Sequence, residues 1–130
     1  MTKKNKRQVS WSEINRLLDV IQSQIKQSGI RYEMIAGVTR GGLVPAVMMS
    51  HRLSLPMMAL APNTPILPIS LAKKTLIIDE IYDTGKTIKE LKQVNPLTQF
   101  AVLYHNTDLP ELEFYGSKER LDNWLVFPWE

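Results

Sequence analysis

The stretch Leu76-Ile77-Ile78-Asp79-Glu80-Ile81-Tyr82-Asp83-Thr84-Gly85-Lys86-Thr87 passes from an apolar run, through two adjacent acids, into a hydroxyl–glycine turn. Its spacing predicts a strand over Thr75 to Asp79 and a helix over Gly85 to Val94, closed by Asn95-Pro96. Gly85 lets backbone N–H groups approach a ligand closely, and the start of a helix favours an anion. The Thr84 and Thr87 hydroxyls can add donors. A carboxylate pair a few residues before an anion cradle suits a ligand with a phosphate at one end and hydroxyls or a metal at the other, such as a phosphorylated sugar. The Gly85-Lys86-Thr87 triplet is not the tail of a nucleotide-binding P-loop, because Glu80 stands where that motif needs glycine. A plainer reading makes Asp83 or Thr84 a helix N-cap and leaves the acids solvated. It accounts for each residue singly, but not for Asp79, Glu80 and Asp83 within five positions, where their charges repel.

Working outward, the same alternation continues. Ser10 and Glu13 have capping-box spacing, and Ile14, Leu17, Leu18, Ile21 and Ile25 form one apolar stripe before Gly29, which predicts a packing helix. Met34 to Val38 reads as a strand buried on both faces, followed by the turn Thr39-Arg40-Gly41-Gly42 and a helix from Leu43 to Leu53. Pro56 to Leu60 and Gln99 to Tyr104 read as further strands, and Trp124 to Phe127 as a last short one. Pro62 to Pro68 holds three prolines and reads as loop. His105 to Asn123 gives no clear pattern. Short strands alternating with helices predict an α/β fold with a mainly parallel sheet flanked by helices, in one domain over residues 1–130. Ligands of such sheets bind beyond the carboxyl ends of the strands.

Composition narrows the classes. The chain has 130 residues, 44% of them hydrophobic and 22% charged, which excludes disorder for its bulk. It has no cysteine, so disulfides and thiolate-ligated metals are excluded. No apolar run is long enough for a membrane span, and no secretory signal follows the basic start, so a cytoplasmic protein is expected. The net charge of +3 rests on Lys3, Lys4, Lys6 and Arg7; the other 12 basic residues face 13 acids. The segment 1–9 therefore reads as a basic arm, solvated and frayed, and nucleic acid is an unlikely partner.

The segment Leu76 to Thr87 closely resembles the phosphoribosyl pyrophosphate (PRPP) signature of type I phosphoribosyltransferases: an apolar strand, two acids, then Asp-Thr-Gly-x-Thr. Thr39-Arg40-Gly41-Gly42-Leu43-Val44-Pro45-Ala46 is similar to the pyrophosphate loop of that family in its bacterial xanthine–guanine enzymes. Trp124-Leu125-Val126-Phe127-Pro128-Trp129 is similar to their purine-stacking segment. The resemblance covers roughly residues 31 to 130 and implies a Rossmann-like type I phosphoribosyltransferase fold. It also implies transfer of the phosphoribosyl group of PRPP to a purine, a 6-oxopurine by the xanthine–guanine likeness, with magnesium, in a homo-oligomer. By the same resemblance, Asp79 and Glu80 contact the ribose hydroxyls and the metal, and Asp83 lies near the base as proton acceptor. Thr84, Gly85, Lys86 and Thr87 hold the 5′-phosphate. Arg40 and Gly41 hold the pyrophosphate, for which Arg40 supplies positive charge. Trp124 and Leu125 border the base, Trp124 reading either as a stacker or as plain core.

This chain departs from the family's pattern twice. The family's long hairpin between the second and third strands, which closes over the reacting centre, has only Pro62 to Pro68 in its place, with no charged residue between Arg52 and Lys73. The lysine that reads the purine 6-oxo group is replaced by His105-Asn106, where Asn106 offers a neutral donor and His105 reads as a strand-end surface residue. Both departures favour an alternative: a phosphoribosyltransferase-fold protein that binds PRPP or nucleotide in a regulatory role, without turnover.

Overall fold

Ser10 remains extended and its hydroxyl accepts the Glu13 N–H at 3.1 Å, while Gly29 turns left-handed at φ 72°. Between them runs α1 (Trp11–Ser28), and the five residues of the predicted stripe are the ones it buries. Only half of the capping box forms, because the Glu13 carboxylate is taken up by Arg7 and Tyr104. The computed structural model describes residues 5–61, 74–94, 96–107, 112–120 and 124–130. The remaining elements are β1 (Lys6–Gln8), β2 (Met34–Val38), α2 (Leu43–Leu53), β3 (Met57–Leu60), β4 (Thr75–Tyr82), α3 (Lys86–Val94), β5 (Gln99–His105), β6 (Phe114–Lys118) and β7 (Trp124–Val126).

Five strands form one parallel sheet in the order β3-β2-β4-β5-β6. The chain starts in the middle at β2, moves to β3 on one side and then crosses to β4 on the other. A topological switch point thus lies between β2 and β4. Ile14, Leu18 and Ile21 of α1 and Ala46 and Met49 of α2 pack with Ile35 and Ile78 on one face. Ile88 and Leu91 of α3 pack with Ala36, Ile77, Phe100 and Val102 on the other. Covering both faces explains why Leu76-Ile77-Ile78 is apolar without alternation. Among the described residues no helix is long and apolar enough to cross a membrane.

Three sequence expectations change. First, β4 runs to Tyr82 rather than ending at Asp79, because Ile81 and Tyr82 continue to pair with Tyr104 and His105 of β5. Glu80, like Asp79, is therefore a strand residue. Second, Lys6–Gln8 is not a frayed arm but a strand pairing in parallel with β7, with Arg7 held by Glu13 and Glu119. The last strand therefore belongs to a separate two-stranded ribbon and not to the main sheet. Third, the unassigned stretch His105 to Asn123 contains β6. Pro62 to Pro68 lies outside the described residues.

Candidate active site

The loops leaving β2 and β4 meet at the switch point. After β2, residues 39 and 40 are joined by a cis peptide, and the Gly42 N–H donates to Val38 O at 2.8 Å, turning the chain into α2. A Cβ on Gly41 would lie 2.3 Å from the Glu80 carboxyl carbon, so any larger residue there would push that side chain aside. Arg40 is exposed and makes no ion pair with any described residue. Arg40, Gly41, Glu80, Trp129 and Glu130 border a cavity of about 640 Å³.

After β4, Gly85 adopts φ 77° and starts α3, its carbonyl accepting the Lys89 N–H at 2.9 Å. A side chain there would be doubly penalised: by the left-handed backbone, and by the Tyr82 hydroxyl 2.5 Å from its Cβ. The Thr84 hydroxyl accepts the Lys86 N–H at 3.3 Å. The turn from Asp83 to Thr87 lines a smaller cavity of about 120 Å³ together with Asp79.

Strand alternation separates the two acids: Asp79 faces the phosphate-turn cavity and Glu80 the Arg40 cavity. Burial pushes the Asp79 carboxyl up to about 6, partly offset because it accepts the Glu80 N–H at 2.8 Å. Burial, then the Asp79 and Glu130 charges, push Glu80 up to about 7, against the favourable Trp129 N–H. Glu80 Oε2 is buried without a well-formed hydrogen bond to any described residue. These groups suit a cation or a hydroxyl-rich ligand, which would restore the solvation that burial removed. Among the described residues no cluster of three or more acids, histidines or cysteines could hold a metal by itself.

Asp83 is exposed at the turn, and its Oδ1 accepts from Asn106 Nδ2 at 2.5 Å. The structure thus brings the residue expected to act on the base into contact with the residue expected to read it. His105 is not a surface residue: it is 4% exposed, packs edge-on against Tyr115 and places Nδ1 2.7 Å from Thr107 O. Leu125 is buried in the core beneath the ribbon. Trp124 is 58% exposed, which excludes the plain-core reading, and it borders neither cavity. Trp129 lies at the Arg40 cavity instead, stacked on Phe127 at 4.9 Å and tilted against Trp11 at 6.0 Å. No spacing rule marks Trp129, because its position depends on a ribbon formed by the two ends of the chain. The only sequence signal is an aromatic cluster, Trp124, Phe127 and Trp129, close behind one another.

No family profile matches the chain. The xanthine–guanine phosphoribosyltransferase of Cereibacter sphaeroides is 26% identical over an alignment spanning 94% of this chain and 85% of that protein. The crystal structure of a purine phosphoribosyltransferase from Pyrococcus horikoshii superposes with a TM-score of 0.73 at 29% identity, covering 97% of this chain and 94% of that one. A hypothetical protein from Neisseria gonorrhoeae, crystallised with bound ppGpp, superposes with a TM-score of 0.76 at 23% identity, covering 100% and 92%. With its two loops at the β2/β4 switch point and this likeness along almost its full length, the chain has the type I phosphoribosyltransferase fold and is a relative of the purine phosphoribosyltransferases.

Proposed function

We propose that the protein transfers the phosphoribosyl group of PRPP to a purine base, a 6-oxopurine by its likeness to the xanthine–guanine enzyme. The observation that carries this is the pairing of two unlike loops on adjacent strands: a glycine–threonine anion turn after β4 and an Arg-Gly-Gly loop after β2, with Asp79 and Glu80 between them. The turn from Thr84 to Thr87 takes the 5′-phosphate on backbone N–H groups and hydroxyls. Arg40 and the Gly41 backbone take the diphosphate, whose charge grows as the C1–O bond breaks. A purine nitrogen forms the new bond to C1, and its proton passes to the Asp83 carboxylate, oriented by Asn106. Catalysis is then mostly positioning and charge stabilisation. Trp124 is exposed on β7 away from both cavities and buried Leu125 supports that strand, so neither is assigned to the base.

Magnesium fits the donors available: Asp79 and Glu80 contribute carboxylate oxygens, Glu80 Oε2 among them without a well-formed hydrogen bond, and substrate oxygens complete the set. When bound, the ion would neutralise the diphosphate charge. The protein is expected to work in the cytoplasm, as a homo-oligomer.

The Asp83–Asn106 hydrogen bond favours one second reading, binding of PRPP or a nucleotide without turnover, since it occupies the proton acceptor. One experiment separates the two. The protein is incubated with PRPP, magnesium and each of hypoxanthine, guanine, xanthine and adenine, and nucleotide and pyrophosphate are measured. Product from at least one base supports the transferase. Nucleotide binding with no product from any base supports the second reading.

A further inference from the structure

At the cavity beside Arg40, the buried Trp129 Nε1 and Glu80 Oε2 lie close enough to interact, yet neither makes a well-formed hydrogen bond with any described residue. One can only donate and the other, when ionised, can only accept. Leaving both buried without a well-formed bond is costly, and each such group in a folded protein calls for an explanation. Packing restrains both side chains. The Trp129 ring is stacked on Phe127 with planes 14° apart and abuts Trp11, and the Glu80 carboxyl lies over Gly41, which leaves it room.

The chemistry of a partner for both follows from what they lack. A phosphate oxygen would satisfy the indole N–H but repel the carboxylate. An ammonium group would satisfy the carboxylate and leave the N–H unpaired. A hydroxyl does both, accepting through its oxygen and donating its hydrogen. We propose that Trp129 is a substrate-binding residue which, with Glu80, recognises one ribose hydroxyl: the hydroxyl accepts from Trp129 Nε1 and donates to Glu80 Oε2. The proposal rests on the nucleotide-binding reading above and adds to it a specificity role for Trp129, favouring ribose over deoxyribose.

The test is calorimetric binding of GMP, 2′-deoxy-GMP and 3′-deoxy-GMP to the unaltered protein and to W129F, which keeps an aromatic ring and loses the N–H. W129F should weaken GMP by about three- to tenfold, the range for one net hydrogen bond. The analogue lacking the recognised hydroxyl should bind more weakly to the unaltered protein and lose nothing further in W129F. Equal losses for all three ligands, or no loss for any, would overturn the pairing while leaving the function reading intact. Failure of the unaltered protein to bind any of the three would overturn that reading and the pairing with it. Should W129F not fold, 3-benzothienylalanine at position 129 exchanges only the N–H for sulfur, and the same contrast between ligands decides the question.

Discussion

The two loops at the switch point are built in opposite ways. The turn after β4 is local: its glycine, its threonines and the start of the helix it opens lie within five consecutive residues, Asp83 to Thr87. The loop after β2 is completed from elsewhere. Glu80 arrives from the neighbouring strand, and Trp129 and Glu130 arrive from the far end of the chain, held by a ribbon whose other strand is Lys6–Gln8. A locally encoded site can be read from a motif and damaged only by changes within it. An assembled one can be damaged from a distance.

The largest effect should come from the one full positive charge at the assembled loop. Arg40→Ala should lower kcat by about 10²- to 10³-fold, the cost of removing a donor aimed at charge that develops in the transition state. Its ion-pair freedom among the described residues makes loss of the fold an unlikely confounder, and an unchanged melting temperature would verify this. An increase confined to KM for PRPP, with kcat intact, would mean that Arg40 binds the ground state and transition state equally.

The local turn should show the next largest effect. Replacing Thr84 and Thr87 together with alanine should weaken a nucleoside monophosphate by roughly 10- to 100-fold, the equivalent of one net hydrogen bond to a charged group at about 1.5–3 kcal/mol. Isothermal titration with GMP measures it, and an unchanged affinity would remove the turn from the site. This turn is also where sequence reasoning succeeded. The start of the strand, the glycine turn and the helix were all readable because they depend on neighbours in the chain. The opposite facing of Asp79 and Glu80 was not, because it follows from β4 continuing to pair with β5 as far as Tyr82. Nor was Trp129, whose place depends on β1 pairing with β7, a contact between opposite ends of the sequence. Reading the first nine residues as a frayed arm hid that pairing.

Acidity distinguishes the strand between the loops from the ribbon. Asp79, pushed up to about 6, and Glu80, pushed up to about 7, are both raised chiefly by burial. An unfolded chain would release those protons near pH 4, so between about pH 4 and 7 the folded state holds more protons than the unfolded one. Their contribution to stability is full below pH 4 and is lost as pH rises through 6 and 7. Urea midpoints of the unliganded protein should therefore carry a component that falls between about pH 4 and pH 7, and this component should shrink in D79N and again in D79N/E80Q. The same slope in all three proteins would show that burial does not perturb these acids.

The ribbon should respond least, and with the opposite sign. Arg7 holds Glu13 through bonds of 3.1 and 2.9 Å and Glu119 through one of 3.1 Å, over the Tyr104 ring. The Arg7 hydrogen bond is the main reason the Glu13 carboxyl titrates below its ordinary value. Stability from Glu13 is therefore present above the unfolded pKa and lost on acidification, where Asp79 and Glu80 gain. Because these groups keep partial access to solvent, Arg7→Met should cost only about 1 kcal/mol, at the upper end for exposed ion pairs because of the two-point contact with Glu13. Hydrogen exchange offers a sharper readout than melting. The Val9 and Trp124 N–H groups, bonded to Val126 O at 2.9 Å and Asn5 O at 2.8 Å, close the ribbon and should exchange faster in the variant, while β4 and β5 amides stay unchanged. Were β4 amides to accelerate equally, the ribbon would be part of one cooperative unit with the sheet, and the division between a local and an assembled loop would fail. If only the ribbon loosens, the Trp129 wall of the Arg40 cavity loosens with it, and a substitution in β1 should raise KM for PRPP without touching a single residue of the phosphate turn.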